Sequence, residues 1–241
     1  MPLPKISTPT YELELPSSGE TITYRPFLVR EEKLLVLAME SDDTKSITRA
    51  IKEVLKSCIK TKVNVAQLPT FDIEYLFLNI RGKSVGEEVD VTITCPDDGK
   101  TEVEVSIPID EILIQKSKDH NDTIKLDDEL TMKMKYPSLN QFIQTNFDLD
   151  ATAGASQLEQ SFDLIASCID TIYSEEEAWP ASESSKKELQ EFLEQLSSSQ
   201  FQEIEQFFET MPKLSHDVTV SNPKTKKKST VTLEGLASFF A

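Results

Sequence analysis

The spacing of apolar residues changes period several times along the chain, and each change predicts an element. In "TYELELPSSGETITYRPF", Thr10 to Phe27, apolar and polar positions alternate around a Pro-Ser-Ser-Gly turn. That pattern predicts a β-hairpin, with Tyr11, Leu13 and Leu15 on one face and Ile22 and Tyr24 after the turn. Pro26 holds Arg25 extended. From Leu28 the spacing becomes helical. "LVREEKLLVLAMES" predicts a helix whose shared face carries Leu28, Leu34, Leu35 and Ala38. "TKSITRAIKEVLKSCIK" predicts a second, with Ile47, Ile51, Val54, Leu55, Cys58 and Ile59 as its apolar stripe, and "FDIEYLFLNIRGKS" a third, stopped at Gly82.

Beyond Gly82 the period is two. Val89, Val91, Ile93 and Cys95 alternate with polar residues, as do Val103, Val105 and Ile107 after "PDDGK". This predicts a half-buried hairpin with a tight turn. "TIKLDDELTMKMKYP" predicts another short hairpin. From Ser138 the chain reads as helical: "SLNQFIQTNF", then "GASQLEQSFDLIASCIDTIYS" with Leu158, Phe162, Ile165, Ile169 and Ile172 at spacings of three and four. Two further helices follow, opened by capping boxes at Ser185/Glu188 and Ser199/Gln202, the second ending at Pro212. "SEEEAWPASES", with Trp179, reads as a surface loop. A final hairpin sets Val218 and Val220 against Val231 and Leu233, and "LASFFA" closes the chain. Hairpins separated by groups of helices, without regular strand–helix alternation, predict an α+β fold. The stretches are 1–83 (hairpin and helices), 84–137 (hairpin region), 138–211 (helical) and 212–241 (terminal hairpin and turn), packed as one or two compact units.

Composition sharpens the picture where it excludes functions. Within 241 residues, 42 acidic and 25 basic side chains give a net charge of −17. Such a surface repels nucleic acid and anionic membrane and suits either plain solubility or encounter with a basic partner. Three widely spaced cysteines, Cys58, Cys95 and Cys168, form no disulfide framework and point to a reducing compartment. The N-terminus has no signal-peptide apolar region, and the longest apolar run, "LLVLAM", is too short to span a bilayer.

The sequence offers no candidate catalytic residues. Of two histidines, His120 sits in a polar loop and His216 after a helix end; both read as solvated. Nucleophile elbows, phosphate loops, dinucleotide fingerprints and zinc-protease motifs do not occur. One phrase is nearly repeated: "DVTITCPDDGK" from Asp90 and "DVTVSNPKTKK" from Asp217. A zinc knuckle would read Cys-Pro-x-Cys-Gly and place two thiolates at one turn. Here the two positions are Cys95 and Asp98 in the first copy, Asn222 and Thr225 in the second. No metal ligand set and no cofactor site follow. Two readings stand: independent hairpins of similar composition, or a ribbon-like pair in which packing and turn hydrogen bonds replace the metal. The lysines of the second tip, Lys224, Lys226, Lys227 and Lys228, are either a solvated end that resists edge pairing or a docking point for an acidic partner. Phe239 and Phe240 either pack on the chain's own helices or anchor another subunit.

"YRPFLVREEKLLVLA", "FDIEYLFLNIRGKSVGE", "FFETMPKL" and "TLEGLASFF" resemble, in this order and across nearly the whole chain, the base plate proteins of T4-like contractile-tailed bacteriophages. Some relatives carry paired cysteines at the hairpins; this sequence keeps only Cys95, so no metal is carried over. The resemblance implies a non-enzymatic protein that contacts other base plate hub proteins of the same phage, in the host cytoplasm during assembly, and not nucleic acid or membrane. It implies either a hub assembly chaperone or a permanent hub subunit of the virion tail. Tyr24, Arg25 and Phe27 are the first expected contact residues, because tyrosine, arginine and phenylalanine are enriched at interfaces. The staple of the following helix is the alternative for Phe27. Phe239 and Phe240, with the lysine tip, are the further candidates.

Overall fold

The fold is α+β. The computed structural model describes residues 6–41, 44–139 and 157–239. The expected helix "SLNQFIQTNF" falls almost wholly outside these residues, as does Phe240. The chain divides into two units. One takes residues 1–65, 71–115 and 213–241; the other takes 66–70 and 116–212. The division therefore joins chain beginning and chain end, across the four consecutive stretches read from the sequence.

In the first unit, strands β1 (Tyr11–Glu14) and β2 (Thr21–Tyr24) form the expected hairpin, with Leu13 opposite Ile22 and Tyr11 opposite Tyr24. Leu15, Ile22 and Tyr24 are buried. Helices α1 (Val29–Glu40) and α2 (Thr44–Cys58) pack together. Helix α3 (Thr70–Val85) buries Phe71, Ile73, Leu76, Phe77, Leu78 and Ile80, apolar residues on more than one side, as a helix inside a core does. The stop expected at Gly82 is not there: α3 runs on to Val85. Gly82 is buried mid-helix, and a Cβ on it would stand 3.0 Å from Ile109 Cδ1, so close packing explains the glycine. Strands β3 (Glu88–Thr94) and β4 (Glu102–Pro108) pair as expected, with Val89, Val91 and Ile93 buried at every second position. Strands β5 (Leu113–Gln115), β10 (Lys213–Ser221) and β11 (Lys228–Glu234) form an antiparallel sheet in the order β11-β10-β5.

In the second unit, β6 (Thr123–Lys125), β7 (Thr131–Met134), β8 (Ile169–Tyr173) and β9 (Ala178–Pro180) make a four-stranded antiparallel sheet. Helices α4 (Gln157–Ser167), α5 (Lys186–Glu194) and α6 (Ser198–Thr210) accompany it. Its core contains Ile124, Met132, Met134, Ile165, Ile169, Leu193, Ile204 and Phe207. Two expectations are corrected here. The long helix through Ile172 ends at Ser167 and becomes β8, because Ile169, Thr171, Ile172 and Tyr173 suit a pleated strand and β7 supplies the partner edge. Trp179 lies on β9, paired with Ile172, and not in a loop. The box at Ser185/Glu188 forms as expected; the next one uses Ser197 and Gln200, two residues earlier than read.

Candidate interaction surfaces

Between β2 and α1 the chain carries "YRPFLVRE", the first expected contact segment. Tyr24 is 2% and Arg25 3% exposed, so neither presents a surface. The Arg25 backbone N–H donates to the Cys58 carbonyl at 3.0 Å, extending the hairpin onto the end of α2. Its guanidinium donates to the Pro26 carbonyl (2.8 Å) and to Glu31 Oε1 (2.8 Å). Glu31 also accepts from Arg30 Nε at 2.7 Å and from the Leu28 N–H at 2.8 Å, which caps the start of α1. Burial pushes the Glu31 carboxyl up, but the hydrogen bonds from Arg25, Arg30 and Leu28 outweigh it and bring it down to about 2. Phe27 is half-buried; its ring lies 5.7 Å from Phe77 and its N–H donates to Ser84 Oγ at 2.7 Å. Tyr24 and Arg25, expected as contact residues, are interior in this chain, and Phe27 packs on α3 rather than stapling the helix that follows it.

What this interior cluster presents is α1. Of the face expected to be apolar and inward, Ala38 is buried and Leu35 half-buried, whereas Leu28 and Leu34 are exposed. Val29 (80%), Val36 (49%) and Leu37 (54%) are exposed as well. The run of consecutive aliphatics in "LLVLA" carries no strong period, so the sequence did not say which side would be covered.

The second surface is the pair of hairpin tips. In the first, the Cys95 N–H donates to the Thr101 carbonyl and the Gly99 N–H to the Cys95 carbonyl. In the second, the Asn222 N–H donates to the Lys227 carbonyl and the Lys226 N–H to the Asn222 carbonyl. The two tips are joined. Asn222 Nδ2 donates to Asp97 Oδ1 at 2.9 Å, and the Thr225 hydroxyl donates to Asp97 Oδ2. Those hydrogen bonds hold the Asp97 carboxyl below the usual carboxylate range. The two hairpins are therefore not independent, since their tips are hydrogen-bonded to each other. Lys224, Lys226, Lys227 and Lys228 all stand exposed around it. Asp97, the residue that couples the tips, was not singled out from sequence. Only the nearly repeated phrase hinted at it.

At the chain end, Leu236–Phe239 forms a short 3-10 turn. The Leu236 N–H donates to Glu74 Oε1 at 3.1 Å and Phe239 is 1% exposed. Phe239 therefore packs within the chain's own first unit.

Reactive groups are held in structural settings. His120, expected to be solvated, is half-buried: its ring nitrogens lie 3.0 Å from Thr210 Oγ1 and 2.9 Å from the Tyr136 hydroxyl. Burial, aided by Lys116, lowers its pKa and favours the neutral ring. His216 Nδ1 lies 3.1 Å from the Glu111 carbonyl. Burial raises the Cys58 thiol to about 11 and the Cys168 thiol to about 12, far from thiolate reactivity at neutral pH. Among the described residues, no group of three or more His, Cys, Asp or Glu side chains is placed to hold a metal ion. No helix among them is long and apolar enough to cross a membrane.

Comparison with curated proteins and with solved structures gave no significant match. Comparison with protein families gave one: T4 bacteriophage base plate protein, over residues 8–241. The match spans both units and both tip-bearing hairpins, so the chain belongs to the T4 bacteriophage base plate protein family.

Proposed function

We propose that this base plate protein is a hub assembly factor that catalyses no reaction and acts through protein–protein contacts while the phage tail is built. Family membership across nearly the whole chain carries this reading. The buried, proton-bearing thiols of Cys58 and Cys168 support it, since a protonated thiol is a poor nucleophile. Its partners are other hub proteins of the same phage, met in the host cytoplasm. A net charge of −17 favours a soluble escort and speeds encounter with basic subunits. The lysine tip serves contacts of the opposite sign.

A permanent place in the virion hub is the second reading. The exposed aliphatic residues of α1, Val29, Leu34, Val36 and Leu37, favour it, because lasting interfaces have more apolar centres than transient ones. Mass spectrometry of assembly intermediates and mature particles separates the two. The escort reading expects the protein in intermediates alone. Equal copy number in both would establish the permanent subunit, and absence from both would reject each.

A further inference from the structure

The two hairpin tips share backbone geometry although their side chains differ. Count each turn from its first residue. Cys95 and Asn222 hold position one, Asp98 and Thr225 position four, Gly99 and Lys226 position five. In both turns the position-five N–H donates to the position-one carbonyl at 2.9 Å. In both, φ at position five is +62°. Glycine adopts that conformation freely. Lysine does not, and Lys226 is the one non-glycine residue with positive φ among those described. Such strain persists where the surroundings over-determine the backbone. Both position-one side chains are buried, each 1% exposed.

In a metal-centred ribbon, positions one and four of two such turns supply four ligands to one ion. Here those positions carry a thiol, a carboxylate, an amide and a hydroxyl, and the last three are already engaged. Asp98 accepts from the Lys100 N–H (3.1 Å), the Thr101 N–H (3.0 Å) and the Thr101 hydroxyl (2.6 Å). Asn222 Oδ1 accepts from the Lys224 N–H (2.8 Å) and the Thr225 N–H (3.3 Å). The remaining donors of the second turn, Asn222 Nδ2 and the Thr225 hydroxyl, both go to Asp97 of the first.

We propose that the tips are a hydrogen-bonded knuckle pair, in which the Asp97 carboxylate joins two metal-ligand-shaped turns in place of an ion. The joint fixes the direction in which the lysine-bearing turn is presented. It does so without a metal supply and without a reactive thiolate pair. The strained Lys226 is the mark of the conserved turn shape within this one chain: the second turn copies the first even where its sequence lacks the glycine.

Two experiments test the geometry and the joint separately. First, Asp98→Cys, Asn222→Cys and Thr225→Cys are combined, with Cys95 retained, and the reduced full-length protein is titrated with cobalt(II). The expected result is one cobalt per chain with the strong visible absorption of a tetrahedral thiolate site, displaced by zinc. The native chain is expected to show neither that absorption nor any change of Tm with a chelator. A folded triple variant that binds no cobalt would overturn the equivalence of the turns, and near-stoichiometric zinc in the native protein would overturn the ion-free joint. Second, Asp97→Ala is made in the native chain and amide hydrogen exchange is followed. Exchange at Lys226 and Lys227 should accelerate at least tenfold while amides of the β6–β9 sheet keep their rates. Unchanged exchange at both residues would sink the proposal even if the triple variant fails to fold.

Discussion

Two stretches of the first unit are candidate contact segments by sequence, one aromatic with arginine and one lysine-rich, and they end in opposite places. Tyr24 to Pro26 is drawn inside, and Glu31 with it: Arg25 is covered, its charge is met by Glu31, and its backbone is bonded to the end of α2. Asn222 to Lys228 is pushed outside: only Asn222 is buried, and its lysines stand in solvent. The difference teaches that an arginine beside aromatic residues is not by itself a contact surface. Between a strand end and a helix start, it is worth more to the fold as a hydrogen-bonded strut. At the end of a hairpin there is nothing left to cover a charged side chain.

The comparison is tested most severely at Arg25. Arg25→Ala leaves Glu31 buried without its main partner and should lower stability by about 3 kcal/mol, the low end for a broken buried pair because Arg30 still reaches the carboxylate. Denaturant unfolding measures this, and an unchanged midpoint would return Arg25 to the list of contact residues. Asn222→Ala removes a buried amide with three hydrogen bonds and should cost about 2 kcal/mol by the same measurement. An equal loss at Asn222 and Arg25 would erase the distinction between interior and tip.

Acid sharpens the contrast. The Glu31 carboxyl is lowered from 4.5 to about 2, so its stabilisation is fully present above pH 4.5 and is lost as the pH falls toward 2. Circular dichroism at stepwise lower pH should show that loss, and Arg25→Ala should move it to higher pH. At position five of the turns, opposite signs are expected. Gly99→Ala should destabilise by about 1 kcal/mol, while Lys226→Gly should stabilise by about 0.5 kcal/mol through relief of the left-handed backbone. The smallest effect on stability belongs to Lys224, Lys227 and Lys228 changed together to serine, within about 0.5 kcal/mol of the native protein. The same variant should bind isolated base plate proteins more weakly, with a shallower salt dependence.

Much of the fold was legible. The period-two runs at Val89–Cys95 and Val103–Ile107 became paired strands because alternation leaves only one face to bury. The Ser185/Glu188 box became a helix start because the capping hydrogen bonds are local. Segments failed where local signals were balanced. Ile165, Ile169 and Ile172 satisfy helical spacing, yet β-branched residues beside a free strand edge joined the sheet. Gly82 looked like a terminator until Ile109, far along the chain, needed its space. The candidate surfaces were legible only at the tips, where exposure follows from being a turn. The exposed side of α1 was not, since "LLVLA" offers aliphatics in every direction.

By itself the sequence determined the α+β class, the family, the hairpins and the placement of the lysines at a turn, all of which depend on neighbours within a few residues or on the chain as a string. Only the tertiary structure decided that Arg25 lies inside, that α1 keeps an aliphatic side uncovered, and that Asp97 reaches Asn222 and Thr225. Those outcomes rest on which distant segments meet, and a short-range pattern holds no record of a hydrogen bond between residues more than a hundred positions apart.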